Sequence, residues 1–173
     1  MKIFETDDLI IRRFEPSDAA RLYEYHLDDE VKKWIPNESY ADLDEASGAI
    51  SFFAGMTDKN TLPYVMGVES KATGDLIGDV GINEVEGRPG EVEIGFVISP
   101  EYRRRGYAVE LVNFMTDFCR DKFKVRTLYG RVLKGNRASV CVLEKCGYIF
   151  AGEESGAEDD PYGCGMLVYK KNC

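Results

Sequence analysis

The sequence predicts an α+β fold with a mostly antiparallel central sheet of about seven strands flanked by helices. Three observations predict it. The chain has 173 residues, about the length of one domain, and its 44% hydrophobic content is enough to build a core without disulfides. Three strand-like runs follow one another through glycine-containing turns with no helix between them. After them a helical spacing leads back to strand-like runs, and this strands-then-helix-then-strand order specifies a mixed sheet. No repeat, low-complexity tract or linker divides the chain, so a single domain over residues 1–173 is expected.

Each element follows from its local pattern. Leu9 to Phe14 reads as a first strand, and Pro16-Ser17-Asp18 opens a helix up to about Leu27. A second helical piece runs near Asp29 to Trp34 until Pro36 and Asn37 break it. Asp42 to about Thr57 carries Ala46, Ile50, Phe53 and Ala54 at helical spacing. Leu62 to Glu69, Leu76 to Val85 and Glu91 to Ile98 form an antiparallel meander joined by Lys-Ala-Thr-Gly-Asp and Gly87-Arg88-Pro89-Gly90. A helix from Gly106 to about Phe123 precedes the strand Thr127 to Leu133. Another helix runs from Asn136 to Cys146, with Gly147 at its C-terminal cap. The last strands are expected near Tyr148 to Gly152 and Gly163 to Tyr169.

Residues 91 to 109, EVEIGFVISPEYRRRGYAV, carry the strongest chemical signal. A strand stops at Ser99-Pro100, then Arg103, Arg104 and Arg105 precede Gly106. Ala108, Leu111, Val112, Met115, Phe118 and Cys119 follow at helical spacing. The first-turn N–H groups of such a helix lack intrahelical acceptors and sit at its positive end, so they attract a phosphate, and glycine permits close approach. Three arginines clustered there, in a chain of formal net charge -9, favour an anion site over a merely solvated basic face. No Gly-Lys-Ser/Thr follows and the dinucleotide glycine spacing is missing, which excludes those two phosphate loops.

Composition excludes other classes. An acidic chain of sequence pI near 4.8 disfavours nucleic acid as a partner, because neutralising phosphates needs a basic face. The charge suits a cationic substrate as well as simple solubility. No apolar run is long enough to span a bilayer, and MKIFETDDL lacks the basic-then-apolar layout of a secretory signal, so a cytoplasmic protein without membrane contact is expected. Cys119, Cys141, Cys146, Cys164 and Cys173 form no Cys-x-x-Cys pair, and His26 is the only histidine, so no metal site is expected. Cys119 and Cys141 are expected on apolar helix faces, and His26 on the surface of a polar helix. The loop GEESGAEDDPYG, with Glu153, Glu154, Glu158, Asp159 and Asp160, must be solvated or face a ligand.

The ordered motifs resemble the GNAT superfamily of acetyl-CoA-dependent N-acetyltransferases, and its Rim-type (RimJ/RimL-like) branch in particular. Arg103 to Ala108 meets the hallmark Arg/Gln-x-x-Gly-x-Gly/Ala. Glu-Ile-Gly at Glu93 to Gly95, Ser-Pro-Glu-Tyr-Arg at Ser99 to Arg103, and Asn-x-x-Ser followed by Glu-Lys-x-Gly-Tyr across Asn136 to Tyr148 complete the set, and the match covers nearly the whole chain. The resemblance implies a splay between the fourth and fifth predicted strands, at Ile98 and at Thr127 to Leu133, into which a pantetheine arm inserts. Backbone groups of Phe96, Val97 and Ile98 would pair with that arm. The pyrophosphate of acetyl-CoA would rest on the amides of Arg104, Arg105, Gly106, Tyr107, Ala108 and Val109, with Arg103 supporting the turn and Asn136 hydrogen-bonding near the arm.

Acyl transfer to an amine needs a neutral amine, a polarised thioester carbonyl and a proton for the departing thiolate. The resemblance implies Glu93 as general base, with Glu91 on the same strand face as the alternative. An N–H of the Val97 to Ile98 segment would polarise the carbonyl. Many relatives carry a Tyr general acid seven residues after the Asn, but Leu143 stands there, and Ser139 or another hydroxyl takes that role. Trp34, Phe53, Tyr64 and Tyr162 are candidates to wall the acceptor pocket, and the acidic loop is a candidate to recruit a cationic amine. The expected acceptor is a small-molecule amine or a peptide N-terminus, attacked directly in a ternary complex. A non-catalytic acyl-CoA-binding sensor is the alternative. The oligomeric state stays open, a homodimer included.

Overall fold

In the computed structural model, which describes residues 1–173, thirteen elements follow in order: β1 (Lys2–Glu5), β2 (Leu9–Arg12), α1 (Ala19–His26), α2 (Asp29–Trp34), α3 (Leu43–Lys59), β3 (Tyr64–Ser70), β4 (Leu76–Glu84), β5 (Glu91–Ile98), α4 (Tyr107–Phe123), β6 (Thr127–Leu133), α5 (Arg137–Lys145), β7 (Ile149–Glu154) and β8 (Met166–Asn172). The expected α+β architecture is present. The strands form an eight-stranded sheet in the order β1-β2-β3-β4-β5-β6-β8-β7, mostly antiparallel, with β5 and β6 parallel. The strand beyond the expected seven is β1, a short edge strand whose residues are mostly exposed and show no apolar alternation. At the other end of the chain β8 starts at Met166 rather than near Gly163. Gly163 and Gly165 sit at φ 65° and 96°, a left-handed backbone that cannot continue a strand.

The chain divides into two compact units, with β4 and β5 contributing residues to both. The first holds residues 1–81 and 96–105. Its core is Phe14, Ala19, Leu22, Tyr25, Val31, Ile50, Leu76 and Val97, with α3 packed on α1 and β3. Asp28 and Asp42 start α2 and α3 by accepting first-turn N–H groups, at 3.0 Å from Glu30 and 2.9 Å from Glu45. Each such cap stabilises its helix by about 1 kcal/mol. At Gly78 on β4 an added Cβ would lie 2.1 Å from the carbonyl oxygen of Val97, so the β4–β5 approach there requires glycine.

The second unit holds residues 82–95 and 106–173. α4 buries Leu111, Val112, Met115 and Cys119 on one side, as their spacing predicts. α5 packs on α4 and β6 and is capped by Asn136, whose Oδ1 accepts the Ser139 N–H at 3.3 Å. Leu143 lies against Gly130 so tightly that a Cβ on Gly130 would come within 2.8 Å of it. Leu143, where many relatives of the resembled family carry a tyrosine, is therefore a core side chain, 1% exposed.

Candidate active site

Within the second unit, β5 and β6 pair only at Glu91–Thr127, Val92–Leu128 and Glu93–Tyr129, whereas β6 pairs with β8 along its whole length to Leu133–Met166. Glu91 and Glu93 share a face of β5, two residues apart. Their environments separate them. Glu91 accepts a 2.9 Å hydrogen bond from the Tyr129 hydroxyl and lies 3.7 Å from Arg88 Nη1. Glu93 has one cation near it, Arg131 Nη1 at 3.9 Å, beyond hydrogen-bond reach.

Arg131 is engaged elsewhere. Its Nη1 and Nη2 hold both Asp159 oxygens at 2.7 and 3.1 Å, and its Nε donates to Glu154 at 2.9 Å. Burial pushes the Glu93 carboxyl upward, Arg131 pulls it down, and the Asp159 and Glu154 charges add to the upward shift, so the net displacement is above the ordinary value of 4.5. A half-buried carboxylate with a raised pKa and no tight partner is a better proton acceptor than an ordinary carboxylate. Next to it, Gly95 is exposed, and a Cβ built there would meet nothing within 4 Å.

α4 begins at Gly106, which occupies the cap position at φ 85° and supplies no side-chain hydrogen bond. The side-chain caps of α2, α3 and α5 make α4 the exception among those four helices. The N–H groups of Val109 and Glu110 turn back to the Gly106 carbonyl at 3.1 and 3.4 Å, while no side chain caps the turn that Tyr107 and Ala108 begin. This is a donor set whose chemistry fits an anion. Asn136 caps α5 through Oδ1, and Ser139 is half-buried one turn on.

The first unit carries the end of β5 and the arginines. The Ser99 N–H donates to the Ile77 carbonyl at 2.8 Å, and the consecutive burial of Val97 and Ile98 breaks the alternation of β5 just before it. The Val97 carbonyl lies where a Gly78 Cβ would stand, out of the plane of the ladder, as at a bulge. The Ile98 carbonyl accepts Arg103 Nε at 3.0 Å. After a single 3-10 turn at Pro100–Tyr102, Arg103, Arg104 and Arg105 are all exposed. Arg104 adopts φ 62°, a left-handed conformation that costs a non-glycine residue about 1 kcal/mol.

Several expected positions differ. His26 is not a surface residue. It is 2% exposed, its Nε2 lies 3.1 Å from Asp79 Oδ2, and Tyr25 donates to the same oxygen at 2.7 Å. The signal was present: His26 follows Leu22 by four residues, and Asp79 is a lone carboxylate in an apolar strand, which demands a partner. Cys141 is exposed, because it lies two residues, over half a turn, from the buried Leu143. Among the acceptor-side aromatics, Tyr64 is core at 1% exposure, Trp34 and Phe53 are partly buried, and Tyr162 is exposed. The acidic loop is not a set of free carboxylates. Glu154 and Asp159 serve Arg131, Glu153 pairs with Lys134 at 2.8 Å, and buried Asp160 accepts the Gly165 and Cys164 N–H groups at 2.7 and 3.3 Å.

No helix is long and apolar enough to cross a membrane, and no group of three His, Cys, Asp or Glu residues is placed to hold a metal ion.

A profile of the acetyltransferase (GNAT) domain matches residues 8–149. The chain is 29% identical to an uncharacterized N-acetyltransferase, YoaA, of Bacillus subtilis (strain 168), over 84% of this chain and 82% of that one. The ribosomal-protein-S5-alanine acetyltransferase of Vibrio fischeri superposes with a TM-score of 0.85 at 19% identity, over 98% and 95% of the two chains. The spermidine N-acetyltransferase of Vibrio cholerae, solved with CoA and spermine, does so with a TM-score of 0.80 at 20% identity, over 96% of each. At these identities the two structures speak for the fold alone.

Proposed function

Because the chain belongs to the acetyltransferase (GNAT) domain family and is an N-acetyltransferase, we propose that it moves the acetyl group of acetyl-CoA to a primary amine by direct attack in a ternary complex. The amine is a protein N-terminus or a small molecule. Glu93 carries the reading: of the two carboxylates on its strand face it is the one with no tight partner, and its burial raises its pKa.

Acetyl-CoA, when bound, supplies an activated acyl thioester. The uncapped amides at the start of α4 would take its pyrophosphate, joined by the arginines that immediately precede them in the chain. Arg103, held to the Ile98 carbonyl, would keep the turn folded. Backbone groups of Phe96, Val97 and Ile98 would pair with the pantetheine arm, and an N–H of the Val97 to Ile98 segment would polarise the thioester carbonyl. Asn136, whose Oδ1 caps α5, would hydrogen-bond near the arm through its amide N–H groups.

Glu93 would accept the proton that the amine loses as its nitrogen bonds to the acetyl carbon. The carbon–sulfur bond breaks, and the Ser139 hydroxyl would give its proton to the thiolate. Cys146 is buried and shifted upward by that burial, which keeps it a thiol and argues against an acyl-cysteine route. The test is CoA release from acetyl-CoA, read by mass spectrometry, against a panel of polyamines, amino acids, aminoglycosides and peptides with free N-termini. Amine-dependent release is expected for one class. Tight acetyl-CoA binding with no release for any class would overturn the reading.

A further inference from the structure

The residues just ahead of the arginine turn are tied to α1 by one side chain. Arg21 Nε donates to the Leu76 carbonyl at 3.1 Å and Nη1 to Glu24 at 2.8 Å. Its Nη2 reaches the Ser99 hydroxyl at 3.0 Å and the carboxylate of Glu101. Ser99 is wholly buried, and its hydroxyl donates to the other Glu101 oxygen at 2.5 Å. Both oxygens of Glu101 are thus engaged, on the side of α1.

Glu101 stands two residues before the arginine triplet, and the guanidinium of Arg105 is already beside it: Arg105 Nη2 donates to the Glu101 backbone carbonyl at 3.3 Å. A carboxylate released at this position would have a cation within reach and would neutralise part of the basic turn. It would also repel a phosphate approaching that turn. Nearby, Tyr102 is held by Asp75 at 3.1 Å and stacks under Arg105 at 5.2 Å, so the backbone of the turn has a second anchor that does not depend on Arg21.

We propose that Arg21 is a positioning residue for the phosphate end of the cofactor: by occupying Glu101 it keeps that carboxylate off Arg104 and Arg105, which are then able to meet phosphate. The inference rests on the reading that this arginine turn binds the phosphates of acetyl-CoA. Its distinguishing consequence is electrostatic. If Arg21 acts by holding a charge away, removing that charge makes Arg21 dispensable; if Arg21 is only a structural tie, it does not.

Acetyl-CoA affinity, measured by calorimetry, is expected to fall about fivefold in Arg21→Met, the worth of one exposed charge pair. It is expected to return to near the starting value in Arg21→Met/Glu101→Gln and to be unchanged in Glu101→Gln alone. Affinity for S-acetylpantetheine, which carries no phosphate, should not respond to Arg21→Met. The loss should shrink at high salt. Failure of Glu101→Gln to rescue, or a loss of more than about threefold in Glu101→Gln by itself, overturns the proposal, and the latter decides the matter even where Arg21→Met does not fold. Arg104→Ala/Arg105→Ala separates the two levels. If that variant binds acetyl-CoA as well as the unaltered protein, the site reading fails and this inference with it; if it binds weakly while Arg21→Met binds normally, only the inference fails.

Discussion

His26 Nε2 lies 3.1 Å from Asp79 Oδ2, joining the end of α1 to the middle of β4 inside the first unit. Burial alone would keep the imidazole neutral, but the hydrogen bond and charge of Asp79, with a smaller contribution from Glu38, more than offset it and raise its pKa above 6.5. A group whose pKa is higher folded than unfolded contributes stability that is complete below the unfolded value and disappears as pH rises through the folded one.

The urea midpoint is therefore expected to fall as pH rises from about 6.5 upward through the imidazole transition. His26→Gln should flatten that dependence. His26 is the only histidine, so its titration by NMR is free of overlap. An imidazole that titrates below 6.5 would refute the assignment. Asp79→Ala, which strands two buried donors, should cost about 3 kcal/mol.

Glu93→Gln is expected to lower kcat by about a hundredfold or more with little change in the acetyl-CoA KM, the usual worth of a positioned general base. Glu91→Gln should have a small effect, because its carboxylate is already bound by Tyr129. The acid limb of kcat/KM should lie above 4.5. Arg131 holds that limb down, so Arg131→Met should move it to higher pH. A limb that stays in place when Arg131 is removed would exclude Glu93 as the group titrating.

Asp160 organises the late loop from within. The Gly165 N–H, followed by the Cys164 N–H, holds its carboxyl below the ordinary range. Asp160→Ala should speed hydrogen exchange at the Cys164 and Gly165 amides about tenfold. Asp159→Asn should leave those amides protected and act instead through Arg131, appearing in the pH profile of Glu93. Equal exchange effects from both substitutions would contradict this division of labour.

Much of the fold was legible because its determinants are local. The meander of β3 to β5 followed from turn residues and alternation. α4 followed from the spacing of Leu111, Val112, Met115 and Cys119, and α5 from Asn136 at one end and Gly147 at φ 82° at the other. The arginine turn was legible for the same reason, since a strand end, a basic run and a helix start are contiguous. β1 escaped because its mostly exposed residues carry no apolar alternation, and Cys141 was misplaced because the phase of a nine-residue helix can be set from either flank.

Chain order and residue type alone were enough for the family, the strand-to-helix turn with its three arginines and the pair Glu91 and Glu93 as the carboxylates on one strand face. Tertiary structure separates the surroundings of those two, giving Tyr129 to Glu91 and only Arg131 at 3.9 Å to Glu93. It also buried His26 against a carboxylate 53 residues away and tied Arg21 to a glutamate 80 residues away. Periodicity reports which face of an element is covered. Which charged groups share the covered space depends on separations that only the folded chain sets, and at distances of 3 to 4 Å those separations decide pairing and protonation.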